Sequence, residues 1–390
     1  MTLFARSEYL DRIARTKAAM EARGIDLLIV ASPANHFWLT GYDGWSFYTP
    51  QVVLVALSEE EPIWIGRKMD AVGAKFTAFL DAANVVPYPD IYVGNDDLHP
   101  MAFVAEEVAR RGLSARTVGV EMDDYYYTAR WHQILTDALP NSRFVDAFLL
   151  VNRCRMVKSP AELAVMREAG AIAVASQQAA LAAAEPGVRQ CDVMGEVYRV
   201  TIAGTADHGG TFPCKPPNAM VNEVAAAPHL SWSDAPLEEG DVFYIELGGV
   251  RHRYHVPLSR CIVLGKPSAE QQRVANVIAE GLNAVLETVK AGVLCQDLAA
   301  AWKAVIARHG IEKDSRIGYP VGIGFPPTWG ELTASLRHGD ETVLEAGMTF
   351  HTIPAIWMDG GGLVISETFA VTETGAACFC DYPRQLIVKA

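Results

Sequence analysis

A chain of 390 residues, half of them hydrophobic, is long enough to bury two ordinary cores. Its 33 basic and 46 acidic side chains leave a formal charge of −13, which opposes phosphate backbones and anionic lipid and argues against nucleic-acid or membrane partners. No apolar run reaches the length of a membrane span, and the charged, amphipathic start lacks a signal peptide's apolar centre, so a cytoplasmic protein is expected.

In chain order, Tyr9, Leu10, Ile13, Ala14 and Met20 recur at helical spacing and Gly24 follows, which predicts a helix over 7–23. IDLLIVA at 25–31 reads as a buried strand. Further strands are expected at 51–56, 62–65 and 118–121, with helices near 102–111 and 127–139. This alternation predicts an α/β layered domain. Ser159-Pro160-Ala161-Glu162 joins an N-cap serine, a proline at the first helical position and a capping-box glutamate. A long helix is expected from there through an alanine-rich run to about 184, stopped by Glu185-Pro186-Gly187. A second capping box at Ser268 to Gln271 opens a helix to about 290, and a third helix covers 295–309. The seven cysteines are scattered and are expected to be reduced. Cys378 and Cys380 form a lone pair that leaves a tetrahedral zinc site half empty and reads as strand packing.

The candidate chemistry centres on Asp241 to Arg260, DVFYIELGGVRHRYHVPLSR. Glu246 lies among Val242, Phe243, Tyr244, Ile245 and Leu247, where an unpaired carboxylate is costly. A cationic substrate would supply its partner, and a buried arginine is the alternative. Glu367, in VISETFAV, is a second carboxylate between strand formers, for which a structural ion pair is the plain reading. His229, in AAAPHLSW, can move protons near neutral pH. His255 and His351 are candidate pocket residues that read equally as core. Among the aromatics, Trp45, Tyr48 and Trp329 are candidates for holding a delocalised cation on a ring face. Gly210, paired with Gly209, could let backbone approach a small ligand, without the spacing of a phosphate loop.

The phrases LTGY at 39–42, KSPAELAVMREAG at 158–170, LEEGDVFYIELG at 237–248, EAGMTF at 345–350 and ETFAVTETG at 367–375 occur in the order found in the creatinase/prolidase/aminopeptidase P superfamily, which the chain resembles over nearly its whole length. The resemblance implies an α/β (α+β) fold, with a creatinase-type α/β domain over 1–155 and a pita-bread catalytic domain over 156–390. It also implies five metal-ligand positions, which fall here on Glu246, Pro257, Val321, Ile353 and Glu367. Three of those side chains carry no donor, so no metal or other cofactor is expected. His229 stands seventeen residues before Glu246, the spacing of the family's proton-handling histidine. Loops after LTGY approach the site in that fold, which singles out Trp45 and Tyr48.

GYDGWSFY, APHLSW, RYHVPLSR, GYPVGIGFPPTWGE and GMTFHTIPAIW together resemble most the ectoine hydrolases of this superfamily. Those enzymes open the ring of a cyclic amidine to an acetylated diaminobutyrate, which a partner deacetylase processes. The implied roles are Glu246 as nucleophile or as base for water, Glu367 orienting the ring nitrogens, and His229 as proton shuttle. No donor for the substrate carboxylate stands out among the arginines, and segment 212–227 is the part of the wall able to shift preference to hydroxyectoine or another amidine. A homodimer is implied as well. A creatinase-like enzyme acting on a guanidino acid is the alternative, against which Ser259 stands where creatinases have a glutamate. A third reading is a non-catalytic pita-bread module that binds proteins.

Overall fold

The computed structural model describes residues 2–114, 116–358 and 360–390. It divides into two compact units, Met1–Arg155 and Met156–Ala390. The first contains α1 (Arg6–Ala22), β1 (Leu27–Val30), α2 (Pro33–Thr40), β2 (Val52–Ala56), β3 (Ile63–Arg67), α3 (Ala71–Thr77), β4 (Val85–Tyr88), α4 (Pro100–Arg110), β5 (Thr117–Val120), α5 (Ala129–Ala138), β6 (Arg143–Asp146) and α6 (Leu150–Cys154). Its six strands form one sheet in the order β4-β3-β2-β1-β5-β6. The pairs of β2 with β1 and with β3 are antiparallel and the other three parallel. Val104 and Val108 of α4 and Trp131 and Leu135 of α5 share a core with Leu27, Ile29, Leu54, Ile63 and Val118. The α2 helix has no counterpart in the sequence reading, because all eight of its residues are buried and no polar stripe marks its period.

The second unit contains α7 (Pro160–Ala183), α8 (Gln190–Ala203), β7 (Asn218–Val221), β8 (Val242–Arg251), β9 (Tyr254–Leu264), α9 (Ala269–Thr288), α10 (Cys295–Arg308), β10 (Gly318–Phe325), β11 (Thr328–Gly330), β12 (Thr349–Thr352), β13 (Ala355–Met358), β14 (Gly361–Val364), β15 (Glu367–Val371), β16 (Ala376–Cys378) and β17 (Ile387–Lys389). A mostly antiparallel sheet runs β16-β15-β12-β10-β9-β8-β7, with β11 antiparallel on β10 and β17 parallel on β9. Both expected capping boxes form. The Ser159 hydroxyl accepts from Glu162 N and the Ser268 hydroxyl from Gln271 N, while each N3 side chain reaches back to its cap. Among the described residues no helix is long and apolar enough to cross a membrane.

The hairpin of β8 and β9 frames the site. His252 and Arg253 turn it with φ of 45° and 66°, the two left-handed residues that a tight hairpin requires. The resulting register sets Glu246 opposite Ser259 and Gly248 opposite Pro257. On its other face α7 crosses close to β8: a Cβ on Gly249 would lie 2.0 Å from Ala169 O and 2.4 Å from Ala173 N. These are backbone atoms, so the helix itself would have to move. Gly249→Ala is therefore expected to destabilise this unit by about 1–3 kcal/mol, a fall of several degrees in Tm read by circular dichroism.

Candidate active site

Glu246 is buried on β8, and its surroundings follow from strand register. Asn218 of β7 is its direct cross-strand partner, and Asn218 Nδ2 donates to Glu246 Oε2 at 2.6 Å. Tyr244, two residues earlier on the same strand face, donates its hydroxyl to the same oxygen at 3.2 Å. Lys215 Nζ lies 4.0 Å from Oε2 and 3.9 Å over the Trp329 ring. On the other side His351 Nδ1 stands 4.0 Å from Oε1. One carboxylate oxygen is thus pinned, and among the described residues no hydrogen bond reaches the other. Burial, with the Glu246 charge, pushes the Tyr244 and Tyr319 phenols up, which keeps both as donors.

Glu246 opens into a cavity of about 640 Å³. His229 and Trp329 line it, together with Lys215, Asn218, Tyr244, Tyr319, Glu331 and Trp357, while Lys313 and Arg316 add two further cations. Trp329 Nε1 donates to Tyr319 Oη at 3.1 Å, which holds the indole in place at the wall. Glu331 is buried and ion-paired with buried Lys158 at 3.6 Å. Burial lowers Lys215 and brings Lys313 down to about 8. Of the candidates from sequence, the structure brings together Glu246, His229 and Trp329.

The other candidates are not among the residues lining the cavity. His255 is fully enclosed, with Nδ1 on Arg253 O at 2.8 Å and Nε2 accepting from Cys214 N at 3.0 Å. His351 shares hydrogen bonds with Tyr319 Oη at 3.1 Å and Ser366 Oγ at 2.8 Å. Glu367 is buried completely and takes Arg260 Nη2 at 2.7 Å, with Arg384 Nε at 3.4 Å. Burial raises its pKa and the two guanidiniums oppose that rise. Arg260, equally buried, also donates to the carbonyls of Ser259, Ser366, Tyr382 and Pro383. Glu367 thus makes the structural ion pair that the sequence left open for it, with Arg260. Trp45 and Tyr48 belong to the amino-terminal unit and are exposed, the Trp45 ring edge-on to Phe47 at 4.5 Å. Gly210 is packed against α8, where a Cβ would meet Thr201 O at 2.0 Å.

The residues sequence reasoning missed are Lys215, Asn218, Tyr244 and the Lys158–Glu331 pair. Tyr244 was readable from two-residue strand spacing, and the others depend on long-range register.

A dinuclear divalent centre does not fit this donor set. Pro257, Val321 and Ile353 offer no donor, Glu367 is committed to Arg260, and among the described residues no group of three His, Cys, Asp or Glu side chains could hold one ion.

Burial lowers both His255 and His351 to about 3. Below pH 6.5 the unfolded chain binds protons that these two folded residues exclude, so stability of this unit is complete above 6.5 and falls as pH drops towards 3. Each histidine adds a slope of up to about 1.4 kcal/mol per pH unit inside that window. His351→Gln removes one share, read from denaturant titrations at several pH values. By the same titrations Arg260→Met, which strands the buried Glu367 charge, is expected to cost about 3–5 kcal/mol.

The chain matches the Metallopeptidase family M24 over residues 164–373 and the Creatinase/Prolidase N-terminal domain over 12–157. It is 45% identical to an ectoine hydrolase of Halomonas elongata over 99% of this chain and 98% of that one. An uncharacterized hydrolase/peptidase of Sinorhizobium fredii is also 45% identical, again over 99% of this chain and 98% of its own. A crystal structure of the dipeptidase PepE from Mycobacterium ulcerans superposes with a TM-score of 0.82 at 24% identity, covering 99% of each chain, which shows a shared fold. With a creatinase-type domain followed by a pita-bread domain, the chain belongs to metallopeptidase family M24 and is a hydrolase acting on carbon–nitrogen bonds.

Proposed function

We propose that this protein opens the cyclic amidine of ectoine, or of its hydroxylated form, by hydrolysis to an N-acetyl-diaminobutyrate, and that it does so without a metal ion. The observation that carries this reading is Glu246, a buried carboxylate with one oxygen held by Asn218 and Tyr244 and the other left open. Its likeness over 99% of the chain to an ectoine hydrolase supports the choice of substrate. Ectoine is a six-membered amidinium carrying a carboxylate, so its reactive carbon lies between two nitrogens that share a positive charge. Glu246 would balance that charge, the amidinium standing where relatives hold a metal cation, in the cavity that Trp329 and Tyr319 also line.

In this mechanism Oε1 of Glu246 either takes a proton from water, whose oxygen adds to the amidine carbon, or adds to that carbon itself before water replaces it. The tetrahedral carbon then expels one ring nitrogen. His229, at the exposed edge of the cavity, supplies the proton that lets this nitrogen leave as an amine. The water oxygen ends as the acetamide carbonyl. Glu367 takes a positioning role, joined through Arg260 and Ser366 to His351, which faces Glu246. A deacetylase in compatible-solute breakdown would consume the product, and a homodimer is the assembly we favour from the family.

Purified protein given ectoine after exhaustive chelation should still form acetyl-diaminobutyrate, detected by mass spectrometry. Activity lost with chelator and regained with Mn²⁺ would sink the metal-free part, and cleavage of creatine in place of ectoine would sink the substrate. Glu246→Gln should lower kcat by at least about 1,000-fold and His229→Asn by about 100-fold with folding intact, since each loses a proton-transfer group at the reacting atoms.

A further inference from the structure

Among the described residues lining the cavity, Lys215 is a cation whose ammonium, shielded from solvent, makes no hydrogen bond. Its nearest carboxylate oxygen, Glu246 Oε2 at 4.0 Å, lies beyond hydrogen-bond reach and already accepts from Asn218 and Tyr244. The other cations of the cavity are accounted for. Lys313 donates to Ala355 O at 2.7 Å, and Arg316 is exposed at the rim over the Tyr319 ring. An enclosed ammonium without an acceptor is costly, and Trp329 beneath it compensates only in part.

Lys215 is also held in place. The backbone N–H of Cys214 donates to His255 Nε2, whose Nδ1 in turn bonds Arg253 O. Pro216 restricts Lys215 to extended backbone, and after Pro217 the chain enters β7 at Asn218, locked opposite Glu246. His255, buried and low in pKa, keeps the unprotonated nitrogen that this contact needs. Two histidine hydrogen bonds, two prolines and a strand therefore aim an ammonium without a hydrogen-bond acceptor beside the reacting carboxylate.

We infer that Lys215 is the anchor for the substrate's carboxylate and that His255 positions it. The inference rests on the cyclic-amidine reading. In ectoine three bonds, about 4 Å, separate the amidine carbon from the carboxylate carbon, so one small ligand can reach both Glu246 and Lys215, whose Oε2 and Nζ lie 4.0 Å apart. A ligand with its amidine carbon at Glu246 Oε1 can thus place its carboxylate on Lys215. Both buried charges are then met by one zwitterion, which selects for amidines that bear an acid next to the ring nitrogen.

The experiment crosses two enzymes with two substrates: wild type and Lys215→Met, each with ectoine and with 2-methyl-1,4,5,6-tetrahydropyrimidine, the same amidine without the acid. The variant should lose about 100-fold in kcat/KM on ectoine, mainly through KM, and a much smaller factor on the acid-free amidine, as expected for one enclosed charge-assisted contact. Equal losses on both substrates, or no loss on ectoine, would overturn the anchor. If Lys215→Met fails to fold by thermal melt, Lys215→Gln carries the same comparison. Should the wild type turn over neither amidine, the cyclic-amidine reading falls, and calorimetric titration with pipecolate, a six-ring acid without an amidine, decides the anchor alone. Binding by wild type and not by the variant upholds Lys215 as a carboxylate site, and equal or absent binding overturns it.

Discussion

A carboxylate on a buried strand has to be met by positive charge or by donors, and the carboxy-terminal unit is organised around how Glu246 meets that demand. The β7/β8 register supplies Asn218, the pleat supplies Tyr244, and the loop before β7 supplies Lys215. All three converge on the same oxygen. Donors on one side only leave the group both anchored and reactive, which a symmetrical salt bridge would not.

Two other buried carboxylates of this unit are treated differently. Glu367 is matched by Arg260, and Glu331 by Lys158, in fully enclosed pairs. Such pairs add little net stability against a well-packed apolar alternative, because desolvation consumes most of the Coulomb gain. Their use here is geometric. Arg260 ties β9 to the carbonyls of Ser366, Tyr382 and Pro383, so that β15 and the segment after β16 keep fixed places around the site.

The capped helices were legible from sequence because their signals are local: Ser159 to Glu162 and Ser268 to Gln271 bond within four residues. The α2 helix was not, since total burial erases the period that would announce it. The same division holds in the site. Glu246 and His229 stand out as polar residues in recognisable phrases, and both line the cavity. Lys215 sits in a proline-rich segment without periodicity, and its neighbour Glu246 is reached only through strand pairing across 28 residues from Asn218. Arg260 and Glu367 are separated by 107 residues, so no window of sequence could decide between an arginine and a substrate as the glutamate's partner. His255 and His351 were open between pocket and core, and complete enclosure sets them in the core as neutral rings.

A surface charge of −13 creates a long-range field that repels anions and attracts cations at a distance set by ionic strength. A zwitterion feels almost none of it, because the forces on its two ends cancel until it is within a few ångströms of Lys215 and Glu246. Those groups lie only 4.0 Å apart in an enclosed wall where mobile ions do not screen them well. The encounter rate of such a ligand would therefore be nearly blind to bulk salt, with attraction beginning only on contact.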